Sequence, residues 1–262
     1  MRLLIIAGVH GDEPAAVEAA RRLKALLGES DEVDVLPEAN PYACTAGTRL
    51  SPVDALDLNR CFPGRRSGTA TERLAFELFQ KVLRAEVVVD LHTPSAGRAY
   101  LPHARLRVDS RELRELCSCA GVAYATLEAP ERGMLQVEAL RQGVPVLTLE
   151  AGEGGKVDNG AVNALLEAAL GVARSMGLAE GEQVRGEVRF LRRERILSDA
   201  FGRLRMKVSP GEEVRLGSIV AKVGRTRIKS HVNGIVLGVS TRSYVEENEF
   251  VASVGVDIFT KK

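Results

Sequence analysis

His10, Glu13 and His92 offer two imidazoles and a carboxylate, a donor set that commonly holds a catalytic zinc while a fourth position stays open for water. His10 and Glu13 follow directly on the apolar run Arg2-Leu-Leu-Ile-Ile-Ala-Gly8, and His92 stands two residues beyond Asp90, which closes Glu86-Val-Val-Val-Asp90. Both runs have strand length and continuous apolar character, so all three side chains are expected at the carboxyl edge of a parallel sheet, where ligands of open α/β folds gather. H-x-x-E by itself is also a common solvated or hydrogen-bonded pair. Its weight comes from combination with His92 at the same edge. Glu150 closes a third such run, Pro145-Val-Leu-Thr-Leu149. There it is expected in surroundings that raise its pKa toward working pH, as a base for a metal-activated water. The bland alternative for Glu150 is an ion-pair partner at a strand end, and Glu153 is its rival for the catalytic role.

The elements that must position these residues alternate. Pro14 opens a helix that runs to Leu27 and ends at Gly28, and a short strand follows at 32–36. Residues 40–68, with Asn-Pro, Ser-Pro and Pro-Gly breakers, read as a long polar loop, a length that usually has a functional purpose. Helices are expected at 71–84, 111–120, 137–142 and 159–176. Beyond about Gly181 the chain changes to short β-branched runs separated by Gly, Asn and Pro, the pattern of a small barrel or sandwich. Its cadence loosely resembles the barrel-sandwich of lipoyl and biotinyl carrier domains, but Lys207 is read as a surface lysine. The expectation is an α/β domain over 1–180, with a mostly parallel mixed sheet flanked by helices, and an all-β domain over 183–262.

His10-Gly-Asp-Glu13-Pro14, Asn40-Pro41, Asp57-Leu-Asn-Arg60-Cys-Phe-Pro-Gly64, Asp90-Leu-His-Thr93 and Glu150-Ala-Gly152 fall in one order along nearly the whole chain. In that order and approximate spacing the chain resembles the succinylglutamate desuccinylase and aspartoacylase family, relatives of the zinc carboxypeptidases. The resemblance implies a carboxypeptidase-like α/β domain with an appended β domain. It also implies one zinc per chain on His10, Glu13 and His92, with Glu150 as general base. Asn59 and Arg60 match positions that hold the substrate, and an arginine fork suits a carboxylate. Arg49 stands where the family's carbonyl-polarising arginine is expected, with Asp57 orienting the arginines. Arg132 is a further candidate arginine. His103 and His231 fall outside every motif and are read as hydrogen-bonded or loop histidines.

The activity so implied is zinc-dependent hydrolysis of the amide bond of a small N-acyl amino acid or related acylated compound. A metallocarboxypeptidase acting on short peptides, or a non-catalytic metal-binding protein, would carry the same ligands. Among 262 residues, 36 basic and 35 acidic side chains nearly cancel, which argues against nucleic acid or an anionic membrane as partner. The apolar runs are too short to span a membrane and no signal-peptide layout opens the chain, so a cytoplasmic setting is expected. A small-molecule substrate is the expected partner, with room for a homo-oligomer. Cys44, Cys61, Cys117 and Cys119 make no disulfide framework and are expected as reduced thiols.

Overall fold

The computed structural model describes residues 2–28, 30–183 and 185–258. Strands β1 (Leu3–Ile6), β2 (Val33–Leu36), β3 (Val87–His92) and β6 (Val146–Glu153) lie parallel in the order β2-β1-β3-β6. Helices α1 (Pro14–Leu27), α4 (Arg111–Cys119) and α6 (Asn159–Ser175) cover one face; α3 (Ala70–Val82) and α5 (Leu135–Leu140) cover the other. The period-two rule explains why β1 is apolar throughout. Leu3 and Ile5 pack into the α1/α6 core, while Leu4 and Ile6 pack into the α3/α5 core.

Two strands were not legible as such. β4 (Arg98–Leu106) runs antiparallel to β6, and β5 (Tyr124–Leu127) runs parallel to β4. β4 carries Pro102, which cannot donate to a ladder, and the β4/β6 register shifts between Tyr100 and His103 around it. The 40–68 segment is also less irregular than expected. Asn40 accepts a hydrogen bond from the Ala43 N–H at 3.2 Å and caps the short helix α2 (Pro41–Ala46), so Asn-Pro here starts a helix instead of breaking one. Leu58–Arg60 form one 3₁₀ turn, capped by Asp57 through the Asn59 N–H.

From Arg189 onward every regular element among the described residues is a strand. β7 (Arg189–Leu197), β12 (Gly234–Ser240) and β14 (Phe250–Asp257) extend the sheet of the first half: β7 joins β5 in parallel, β14 and β12 follow antiparallel, and β12 returns to pair with Arg98–Tyr100 of β4. Strands β4, β5, β7, β14 and β12 therefore close a ring. Leu101, Tyr124, Leu191, Ile235 and Leu237 from four of them cluster together. The sheet as a whole is mixed: the parallel character expected for it holds in β2-β1-β3-β6, whereas the joined C-terminal strands add antiparallel pairs. A second sheet, with β8 (Gly202–Met206), β10 (Ile219–Val223), β11 (Thr226–Lys229) and β13 (Tyr244–Val245), packs against this ring through Leu204, Val220, Val223, Ile228 and Val245.

Candidate active site and metal centre

The β1 and β3 carboxyl ends bring His10, Glu13 and His92 together, all buried, with one ligand atom from each within 4.8 Å of the others. Glu13 lies between the imidazoles: Oε1 is 2.8 Å from His10 Nδ1, and Oε2 is 2.8 Å from His92 Nδ1. The far ring nitrogens are held by second carboxylates, His10 Nε2 at 3.0 Å from Asp57 and His92 Nε2 at 2.9 Å from Asp90. This carboxylate–imidazole pairing fixes ring orientation and leaves both Nδ1 atoms for an ion, the outer arrangement that metal-binding histidines commonly have. The donor set therefore fits a zinc ion.

The same geometry sets the charges. Burial disfavours the His10 imidazolium, but the Glu13 charge and the bonds to Asp57 and Glu13 outweigh it and raise its pKa. His92, opposed by burial and favoured by Asp90 and Glu13, is raised further. Burial alone would raise Glu13, yet the two imidazoles hold it well below the usual carboxylate range. A metal ion there would take the place of the protons.

Gly11 shapes the loop that carries this cluster. Its N–H donates to Thr48 O at 2.9 Å, and a Cβ would stand 1.8 Å from the Ala43 carbonyl oxygen, so only glycine lets the loop lie against α2.

Glu150, buried on β6, is the direct register partner of His92 on β3 and of His103 on β4. The expectation that its surroundings raise its pKa is overturned. Burial does push it up, but Arg105 Nη1 lies 2.8 Å from Oε2, and this charge, helped by His103 and Arg193, leaves the carboxyl below its ordinary value. Arg105 in turn grips Glu128 by a two-pronged contact, Nε at 3.0 Å and Nη2 at 2.9 Å. Arg193 of β7 reaches the same Glu128 at 3.2 Å. The three arginines Arg105, Arg193 and Arg107 hold Glu128 down at about 2 against the upward push of burial.

Arg49 joins the metal cluster. Its Nη2 donates to Asp57 Oδ2 at 3.0 Å, and Nη1 lies 3.7 Å from Glu13 Oε1. Asp57 thus orients an arginine, as expected, and also holds His10. Asn59 and Arg60 both line the cavity over the cluster. Asn59 Oδ1 accepts from the Leu135 N–H at 2.9 Å, which ties the 3₁₀ turn to α5; Arg60 is half-exposed and lies 3.4 Å from Glu131. Arg132 is exposed and is not among the cavity's lining residues, where Arg98, Arg105, Arg107 and Arg193 stand instead. His103 is a buried strand histidine, its Nδ1 2.7 Å from Leu101 O. The four cysteines are free, with Cys117 and Cys119 buried in α4. Among the described residues no helix is long and apolar enough to cross a membrane.

Sequence reasoning missed Arg105, Arg107, Arg193 and Glu128. Their signal was faint: in Ala104-Arg-Leu-Arg107 buried apolar and charged residues alternate with period two, as in a strand with one core face and one polar face.

The chain has counterparts both in sequence and in fold. The model of the succinylglutamate desuccinylase/aspartoacylase catalytic domain matches residues 1–176. The N-alpha-acetyl-L-2,4-diaminobutyric acid deacetylase of Halomonas elongata is 31% identical over 241 residues, which span 84% of this chain and 69% of that protein. The crystal structure of a succinylglutamate desuccinylase/aspartoacylase from Rhodobacter sphaeroides superimposes with a TM-score of 0.85 at 25% identity, covering 98% of this chain and 86% of that one. The product-bound ectoine utilization protein EutE (DoeB) from Ruegeria pomeroyi shares the fold with a TM-score of 0.85 at 24% identity, over 97% and 85% of the two chains. The chain belongs to the succinylglutamate desuccinylase/aspartoacylase family and, with it, to the amide-hydrolysing deacylases.

Proposed function

We propose that the protein is a zinc-dependent deacylase that hydrolyses the amide bond of a small N-acyl amino acid or a related acylated compound. The observation that carries this reading is the buried His10–Glu13–His92 cluster with Glu150 beside it in strand register. Zinc held by these three side chains would polarise the acyl carbonyl and lower the pKa of a water toward 7. Glu150, ionised through its pairing with Arg105, takes the proton of the attacking water and passes it to the departing amine. Arg49, poised beside Glu13 and Asp57, faces the oxygen on which negative charge grows. Asn59 and Arg60 take the substrate carboxylate. The division into a catalytic unit, 1–180, and a β unit, 183–262, is part of the same proposal, with the β unit walling the cavity through Arg193 of β7. The carboxypeptidase-like ancestry of the fold and a cytoplasmic setting belong to this reading too.

Hydrolysis of a panel of N-acyl amino acids and of peptides of increasing length by the zinc-loaded protein tests it. Release of free amino acid from the acylated compounds, falling off as the peptide grows, is expected. Cleavage confined to peptides would replace the deacylase reading with a carboxypeptidase, and no cleavage of either class would refute a hydrolase.

A further inference from the structure

From Arg203 to Lys229 the chain holds eight basic side chains and two acidic ones, Glu212 and Glu213, although the two signs nearly cancel over the whole sequence. The basic ones gather on one sheet. In the order β11-β10-β8-β13 the alternation turns Leu204, Val220, Val223, Ile228 and Val245 toward the ring and leaves Arg203, Arg205, Lys222, Arg227 and Lys229 on the outer face. No acidic residue stands on any of these four strands. Glu212 accepts from the Ser209 N–H at 3.1 Å, and Glu213 belongs to β9 (Glu213–Val214) of the larger sheet.

Lys222 is the direct partner of Arg205 on one side and of Arg227 on the other, so three cations stand in a row across three strands. Side chains opposed in this way lie about 5 Å apart, and like charges there destabilise a sheet. A solvent face ordinarily intersperses both signs. The C-terminal strands place their ion pairs elsewhere, Arg189 with Asp257, Arg192 with Glu194 and Arg242 with Glu249, and among the described residues none of the five cations on this face has one. Their mutual repulsion is relieved only by negative charge from outside the chain.

Two aromatic rings stand in water at one end of these rows. Tyr244, 60% exposed, is the direct partner of Arg203, and Phe201, 74% exposed, immediately precedes β8. Along β8 Arg203 and Arg205, and along β11 Arg227 and Lys229, are two residues apart, a spacing of about 7 Å. Cationic rows on a flat sheet with bare rings beside them suit a polymer that carries a phosphate and a stacking base in every unit. A bilayer would be met by a broad apolar face, and here there are two rings. We propose that the outer face of this sheet binds single-stranded nucleic acid, with Arg205, Lys222 and Arg227 on the phosphates and Tyr244 stacked on a base. None of these residues lines the cavity over the metal cluster, so this binding stands apart from hydrolysis.

The test is fluorescence anisotropy of labelled oligo(dT) and oligo(U), each about 20 nucleotides long, with the full-length protein over a range of salt concentrations. Parent, Tyr244→Ala and a triple variant, Arg205→Gln with Lys222→Gln and Arg227→Gln, are compared. The parent should bind at low salt, with log affinity falling linearly in log salt. The triple variant should lose at least roughly tenfold, and its salt slope should be shallower by about 2, as for three phosphate contacts. Tyr244→Ala should lose about fivefold or more at an unchanged slope, because a ring and not a charge is removed. Taking away three opposed like charges should leave the thermal midpoint at or above that of the parent, which separates lost binding from lost fold. Tyr244→Ala answers on its own if the triple variant folds poorly. The proposal is overturned if neither oligonucleotide binds at low salt, if the folded triple variant binds as the parent does, or if Tyr244→Ala loses nothing. It is overturned equally if duplex DNA, poly-L-glutamate or phosphatidylglycerol-containing vesicles bind as tightly as the single strands.

Discussion

His92 and Glu150 are paired residues on adjacent parallel strands, β3 and β6, so an imidazole of the candidate metal site and a carboxylate leave the sheet side by side. Two short apolar runs far apart in sequence thereby hold both side chains on strand backbone. Replacing Glu150 by Gln keeps the shape and removes the basic oxygen. Turnover of an N-acyl amino acid should fall by roughly 10²-fold or more while the zinc content stays at the parent level. Full activity in this variant would remove Glu150 from the mechanism.

Arg105, 2.8 Å from Glu150, opposes the burial that would neutralise this carboxylate. Glu150 has a folded-state pKa below its ordinary 4.5, so its contribution to stability is complete above that value and is lost as pH falls through the lowered one. Glu128, held near 2, follows the same sign between 4.5 and about 2. Arg105→Gln strips both carboxylates of their nearest cation. The variant should lose about 3–5 kcal/mol of stability, as for a broken buried pair. The acid limb of kcat/KM should move to higher pH, with activity partly recovered there, and Arg105→Lys should lie between. An acid limb at the same pH in parent and variant would show that Arg105 merely packs.

Asp57 touches both His10 Nε2 and Arg49. Asp57→Asn retains the size but weakens the grip on the imidazole, and zinc affinity should drop about 10–100-fold. Competition with a chelating dye reads this directly, and an unchanged dissociation constant would mean that the Asp57 contact does not tune the metal.

Much of the site was legible because its members end uniform strands. The apolar run before His10 and the valines before Asp90 could only be buried on two faces, which placed their carboxyl ends together. Pro14 and Gly28 marked α1 at both ends, and Thr71 to Arg84 overlapped α3. β4 escaped notice because Pro102, His103 and Arg105 are poor strand signals, and the charge of Arg105 makes sense only against Glu150 and Glu128. Those partners lie 45 and 23 residues away, a pairing that no local period encodes. The same distance hid the sign of the Glu150 shift: the strand run announced burial, while the arginine that overrides it comes from another strand. The ring closed by β12 on β4 was equally invisible, since a C-terminal composition change says nothing about which older edge the new strands join.

Hydrolysis of an N-acyl amino acid by chelator-stripped protein, followed as zinc is added back, tests the central claim most directly. The stripped protein should be inactive, and the rate should climb to a plateau at one equivalent per chain, with His92→Ala staying flat throughout. A stripped protein as active as the zinc-restored one, or a His92→Ala protein that reaches the parent plateau, would contradict the account.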